Sequence, residues 1–301
     1  MARSGDALRR QAAARERASA RAITGAATRA RARVPVDPVR QRIAEQRVDE
    51  ATTLATRAWD AETPALQRTL GRQLRDAQEA GAAVAERTAG LVGRFDVTNP
   101  ESVRWAQTRA ATLVTEVSRE TRAAIRQVIT RGILQGVAPI DTARALRDVI
   151  GLTTRQESAL QAFRASLLRL RQRPEGWAVE TPLQRLSNRG LTMDRVRELV
   201  ARYADRLLGQ RAWLIARTET MAALNEGQRQ LWAQAGDELD GMERTWLVTD
   251  DERLCELCAP LDGERADLEG QYPEGGGAGP PRHPNCRCTE GLVATRGLAA
   301  A

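Results

Sequence analysis

RTWLVTDDERLCELCAPLDGERADLEGQYPEGGGAGPPRHPNCRC, residues 244–288, holds all four cysteines and the only histidine of the 301-residue chain. Cys255 and Cys258 enclose two residues, and His283, Cys286 and Cys288 follow a Pro/Gly-rich loop. A close pair on a tight turn, a loop and a second close pair is how a tetrahedral zinc site is usually written. Five candidates compete for four places. The two-residue spacer lets Cys255 and Cys258 face one point, and His283 and Cys286 share that spacing. Cys286 and Cys288 are only two apart and point to opposite sides if the backbone is extended. Spacing therefore favours Cys255, Cys258, Cys288 and one of His283 or Cys286. Reduced cysteines without metal, or disulfides, are the alternatives, but cysteines crowded into one region of a chain without secretory features point to metal.

Energetics favour a structural zinc. A stretch this rich in Gly and Pro buries little apolar surface, whereas structural zinc contributes on the order of 10–16 kcal/mol in finger peptides. A catalytic zinc is disfavoured because so many soft ligands close the shell. The deaminase signature needs His-x-Glu, and His283 is followed by Pro284 and Asn285. Asp250, Asp251 and Asp262 read as turn and capping residues rather than ligands.

Upstream of the cysteines, ERTWLVT (243–249) alternates like a strand. Between the Ala/Arg-rich first 34 residues and this strand, most segments have helical spacing. The clearest helix spans 101–133, with Val103, Ala106, Ala110, Leu113, Val117, Ala124 and Val128 on one stripe. Residues 39–88 form a first helical region interrupted near Pro64, followed by a boundary at Gly90, Gly93 and Asn99-Pro100. Its weakly apolar face leaves the packing partner open. Asp141 caps a short helix to 150, and Gly151 stops it. Thr154 and Glu157 form a capping-box pattern for 155–173, and 177–188 is a loop or short helical turn. Gly190 and Thr192 precede two helices, 193–208 and 212–235, joined at Gly209. The expected class is mainly α: a multi-helix body with a small C-terminal α+β zinc-binding-type module. The divisions are a basic arm (1–36), a helical domain (37–240), the Cys/His module (241–292) and a tail (293–301).

Composition agrees and narrows the chemistry. Hydrophobic residues make up 42% of the chain and aromatics only 3%, which suits packed helices better than a sheet sandwich. All 46 basic residues are arginine. Without lysine there is no Walker A loop and no Schiff-base amine, and a single histidine excludes an HExxH protease. The net charge of +7 sits in residues 1–36, where nine arginines face Asp6 and Glu16; the other 37 arginines and 37 acids cancel. That Ala/Arg arm reads as a solvated, disordered tail or as a nucleic-acid contact acting by counterion release. No run approaches the roughly 18 apolar residues of a membrane span.

Three pieces carry a family resemblance. IARTET (215–220), with Ala222, Asn225 and Trp232 after it, TWLVTDDERLCELCAPLDG (245–263) and PPRHPNCRC (280–288) together resemble the phage Mu F-like minor head protein family, also called phage head morphogenesis proteins. LRDVIG and LTMDRVRELVARYADRLLGQRA fit its usual lead-in. The resemblance implies a non-enzymatic structural component made in few copies. It would act at or near the portal vertex with portal, capsid or scaffold proteins. Its place would be the virion, inside the head or at the portal vertex, and the bacterial host cytoplasm during assembly. Arg217, Thr218 and Glu219 enter as family-motif residues of unassigned role; Arg217 and Glu219 either bridge the helix to the cysteine module or a neighbouring subunit, or form a solvated charged face. Two other functions compete: a nucleic-acid-binding virion protein using the basic arm, with DNA as partner, and a packaged effector enzyme. Only TEGLVATRGLAAA follows the cysteines, which speaks against an appended effector domain.

Overall fold

The computed structural model describes residues 2–91, 95–171, 191–249, 251–252 and 254–295, with side chains from Gly5 onward. The expected boundary at Gly93, the loop 177–188, the start at Gly190, Asp250 and most of the tail lie outside the described residues. Among the described residues eight helices come first: α1 (Ala2–Ala32), α2 (Val36–Ala44), α3 (Val48–Asp60), α4 (Thr63–Ala89), α5 (Pro100–Leu134), α6 (Pro139–Val149), α7 (Thr154–Arg171) and α8 (Met193–Ala235). A 3-10 turn at Gly236–Leu239 leads into β1 (Met242–Leu247), β2 (Arg265–Ala266) and β3 (Thr289–Ala294). The mainly α reading with a small C-terminal α+β module is what the structure has. Among the described residues no helix is long and apolar enough to cross a membrane.

The chain divides into two compact units. The first takes residues 1–22, 67–112 and 212–301; the second takes 23–66 and 113–211.

In the first unit α4 and α8 meet through glycine. A Cβ on Gly81 would lie 1.9 Å from the Leu224 carbonyl oxygen, and one on Gly227 would lie 1.9 Å from that of Gln78. Each helix thus offers a bare backbone where the other's carbonyl arrives. For the end of the 39–88 helical region this is a packing partner that its sequence leaves open. Ala82, Ala85, Leu231, Trp232 and Ala235 close a core beside the crossing, and Leu292 of β3 packs on it. The sheet runs in the order β2-β1-β3, antiparallel throughout, with Arg244 opposite both Ala266 and Leu292.

In the second unit Val39 and Ile43 of α2 and Ala51, Ala55 and Trp59 of α3 are buried. The Trp59 indole N–H donates to Ser118 Oγ at 2.8 Å. Buried Glu157 accepts from Arg131 Nη1 at 2.5 Å and Gln127 Nε2 at 2.7 Å. It is therefore no capping residue. The reciprocal box at the start of α7 sits one residue earlier: Gln156 N–H donates to Thr153 Oγ1, and Thr153 N–H to Gln156 Oε1. Asp141 likewise occupies the first turn of α6, whose cap residue Ala138 makes no side-chain bond. Gly151 does end α6, at φ +84°.

Two further expectations change. Gly209 joins no pair of helices; α8 runs unbroken through it, because the buried residues Leu207, Leu208 and Ala212 continue the same stripe across it. Packing there outweighs the cost of one helical glycine, about 1 kcal/mol. The basic arm is not a solvated tail. It is helix α1, with Leu8, Ala12, Ile23, Ala26 and Ala30 buried at helical spacing. A stripe made mostly of alanine carries little hydropathy, so composition hides it. Its arginines are engaged: Arg15 Nε donates to the Asp76 carbonyl, Arg29 and Arg33 both grip Glu62, and Arg31 pairs with Asp205 at 2.6 Å.

Candidate metal centre

Beyond β1 the backbone folds back on itself at Cys255. The N–H groups of Cys258 and Ala259 both donate to the Cys255 carbonyl, at 3.1 and 3.0 Å, and a 3-10 turn over Ala259–Leu261 follows. That tight turn sets the two sulfurs on one side. The second cluster is turned as well. Cys286 N–H donates to the His283 carbonyl at 3.1 Å, and Asn285 takes a left-handed φ of +68°. The residue type suits this, since asparagine tolerates that region better than most. Because the segment is not extended, the spacing argument that separates Cys286 from Cys288 fails. Both sulfurs lie within 4.8 Å of Cys258 and of each other.

All five candidates therefore meet. Cys255, Cys258 and His283 form one group with ligand atoms within 4.8 Å, Cys258, Cys286 and Cys288 a second, and Cys258 belongs to both. His283 Nε2 stands 3.0 Å from Cys255 Sγ and 3.2 Å from Cys258 Sγ. Cys258 and Cys286 sulfurs are 3.8 Å apart. Two thiolates bound tetrahedrally through bonds of about 2.3 Å would stand about 3.8 Å apart, so that pair already has the separation a metal needs. It is far outside the ~2.05 Å of a disulfide, and all four cysteines are free. His283 Nδ1 lies 2.8 Å from the Pro284 carbonyl oxygen. A proton on Nδ1 donates there and leaves the Nε2 lone pair facing the sulfurs, the arrangement of a metal-binding imidazole. The donor set is sulfur and imidazole, which suits zinc among common divalent ions.

Electrostatics divide the thiols. The Cys288 thiol donates to Cys286 and, against the opposing effect of burial, holds the Cys286 pKa down to about 5, with backbone N–H groups assisting. Burial, and then the Cys286 charge, push Cys258 up to about 12. Cys255 sits below the usual thiol range: burial opposes the shift, but hydrogen bonds from Cys258 and the backbone outweigh it. His283 is raised, burial being outweighed by the Pro284 carbonyl and the neighbouring thiolates. A cation would replace the mutual repulsion of these thiolates with attraction.

Under the sulfurs lies an apolar floor of Trp246, Leu261, Ala266 and Tyr272, with the two rings edge to face at 5.3 Å. The module rests on α8. Asn285 N–H donates to Thr218 Oγ1 at 2.9 Å, and buried Asn225 Nδ2 donates to the Cys288 carbonyl at 3.3 Å. Within the 217–219 motif it is thus Thr218 that reaches the cysteine module. Glu219 instead takes a two-point grip from Arg109 of α5, at 2.6 and 3.0 Å, and Arg217 stacks 4.9 Å over the Trp213 ring. Among the acids, Asp262 accepts from Val248 N–H as a turn residue should, whereas Asp251 forms a two-point ion pair with Arg287. Among the described residues neither belongs to a group that could hold a metal.

A buried ionic knot is the feature that sequence reasoning missed. Glu290 of β3 accepts from Arg244 at 2.8 Å, Arg229 at 2.7 Å and the Tyr272 hydroxyl at 3.1 Å. Arg244 also donates to the carbonyls of Asp267, Gly270 and Ala278, which fastens the Gly-rich loop to the sheet. Burial and the Glu290 charge raise the Tyr272 hydroxyl, keeping it a neutral donor. The one available signal was alternation, which sets Arg244 on the same strand face as Trp246.

Residues 178–290 match the family described as Phage Mu protein F like protein. The matched stretch takes in α8, β1, β2 and both cysteine clusters, and α1–α7 precede it. No curated protein and no solved structure matches the chain.

Proposed function

With residues 178–290 belonging to the Phage Mu F-like family, we propose that the protein is a minor head protein that acts in head morphogenesis at or near the portal vertex. The observation that carries the reading is the coincidence of the matched stretch with one built object: α8, the sheet seated on it and the convergent Cys/His cluster. The family is one of head morphogenesis proteins, and a structural rather than enzymatic role accords with it. The proposed partners are the portal protein and other capsid or scaffold proteins, and the proposed locations are the host cytoplasm during assembly and then the virion.

In this reading one structural zinc is held by Cys255, Cys258, His283 and Cys286, with Cys288 behind them as a thiol donor to the Cys286 thiolate. The ion would join two turns that the chain separates by the Gly-rich loop, giving a rigid surface for partner contact. Nucleic-acid binding through residues 1–36 has less support, because several of the arginines it would use are engaged in α1. Co-expression with a portal protein from the same phage should give a complex that survives size-exclusion chromatography. Separation of the two at low salt, with zinc bound, would refute the assembly role.

A further inference from the structure

The second unit contains a cleft that neither the metal centre nor the family match explains. Its volume is about 310 Å³, and α6, α7 and the first turns of α8 wall it. The floor is apolar, made by Leu160, Val196 and Val200, all buried. Four arginines line it: Arg144 and Arg147 from α6, Arg164 from α7 and Arg197 from α8.

One of the four is spent within the fold. Arg197 pairs with Asp194 at the exposed start of α8. Arg144, Arg147 and Arg164 make no hydrogen bond or ion pair among the described residues, and the charges of Arg147 and Arg164 act on the Asp148 carboxyl. Four guanidinium groups against two carboxylates, Asp141 and Asp148, leave the cleft lining net positive, and an anionic guest would offset that charge.

We propose that this cleft docks an acidic segment of a partner protein, with an apolar side chain seated on Leu160, Val196 and Val200 and carboxylates gripped by the surrounding arginines. The combination separates such a segment from nucleic acid. A phosphate backbone would use the arginines but leave the apolar floor wet. An acidic peptide turns both features to use, since its apolar anchor fills the floor and its carboxylates meet the arginines. Guanidinium forks match carboxylates in two-point geometry, so arginine is the suited residue.

The test uses the full chain and a short fluorescein-labelled peptide in which glutamates surround leucines at helical spacing, read by fluorescence anisotropy. The peptide should bind, and the Arg144→Gln/Arg164→Gln double variant should weaken it about tenfold, the effect of losing two partly exposed charge pairs. Replacing the peptide's leucines with serine should weaken it as well. Failure of the peptide to bind overturns the proposal, as does equal binding by the double variant or by the serine peptide. A single-stranded DNA oligonucleotide that binds more tightly and is lost in the same variant would assign the cleft to nucleic acid. Should the double variant melt early by circular dichroism, exposed Arg144→Gln alone makes the same test.

Discussion

Two Gly→Ala substitutions in α8 should act with opposite signs. At Gly209 a Cβ would find no atom within 4 Å, so Gly209→Ala gains only helix propensity, about 0.8–1 kcal/mol of stabilisation in the second unit. At Gly227 the same propensity gain is overwhelmed. The new Cβ would stand 1.9 Å from the Gln78 carbonyl oxygen, where carbon and oxygen normally keep about 3.3 Å. Backbone must therefore withdraw by about 1.4 Å at the point where α4 and α8 are closest, and that carbonyl belongs to a helix backbone with no rotamer to yield. Overpacking of this kind costs about 1–3 kcal/mol when side chains give way, and backbone contact places Gly227→Ala at or above the upper end. Urea denaturation followed by circular dichroism and tryptophan fluorescence reads both. The first unit's transition should move to lower urea for Gly227→Ala, while Gly209→Ala moves the second unit's transition up or leaves it unchanged. If Gly227→Ala is as well tolerated as Gly209→Ala, the glycine-mediated crossing of α4 and α8 is wrong.

Purified protein should carry about one zinc per chain by elemental analysis, and Cys258→Ser, which removes the sulfur common to both ligand groups, should abolish it, whereas Cys288→Ser should retain most of it. A metal-replete Cys258→Ser protein would contradict the assignment. Arg244→Leu leaves the buried Glu290 carboxylate with Arg229 as its one remaining cation, so the first unit should lose about 3 kcal/mol in chemical denaturation; a loss under 1 kcal/mol would mean that the knot carries little of the loop's stability. Asp148 has a folded-state pKa raised by burial, with Arg31 opposing it and Asp205 adding to it. A raised carboxyl favours the fold when protonated, below its ordinary 3.8, and that contribution is lost as pH rises through the folded-state value. Asp148→Asn should therefore raise the second unit's denaturation midpoint at pH 7, and the advantage should vanish near pH 3; an equal gain at both pH values would locate the effect elsewhere.

Local chemistry made much of this legible. The stripe of α5 needs no partner to be read, because a three-and-four apolar period already states which face is buried. The Cys255–Cys258 turn was equally plain, since two thiols across two residues have few other uses in a reduced chain. What misled were residues with weak hydropathy or a dual role. The alanines of α1 read as low complexity, Gly209 read as a break, and Glu157 read as a cap when it is a buried partner of Arg131.

Sequence alone determined the class of the chain, the positions of most helices and the set of five sulfur and imidazole donors, because periodicity and spacing are properties of neighbours along the backbone. Tertiary structure decided the rest: that Cys286 and Cys288 turn to one side, that Thr218 rather than Arg217 or Glu219 meets the cysteine module, that α4 and α8 touch through Gly81 and Gly227, and that Glu290 gathers Arg229, Arg244 and Tyr272. Each of these depends on groups far apart in the chain, and their proximity is set by how helices and strands pack, which no local pattern encodes.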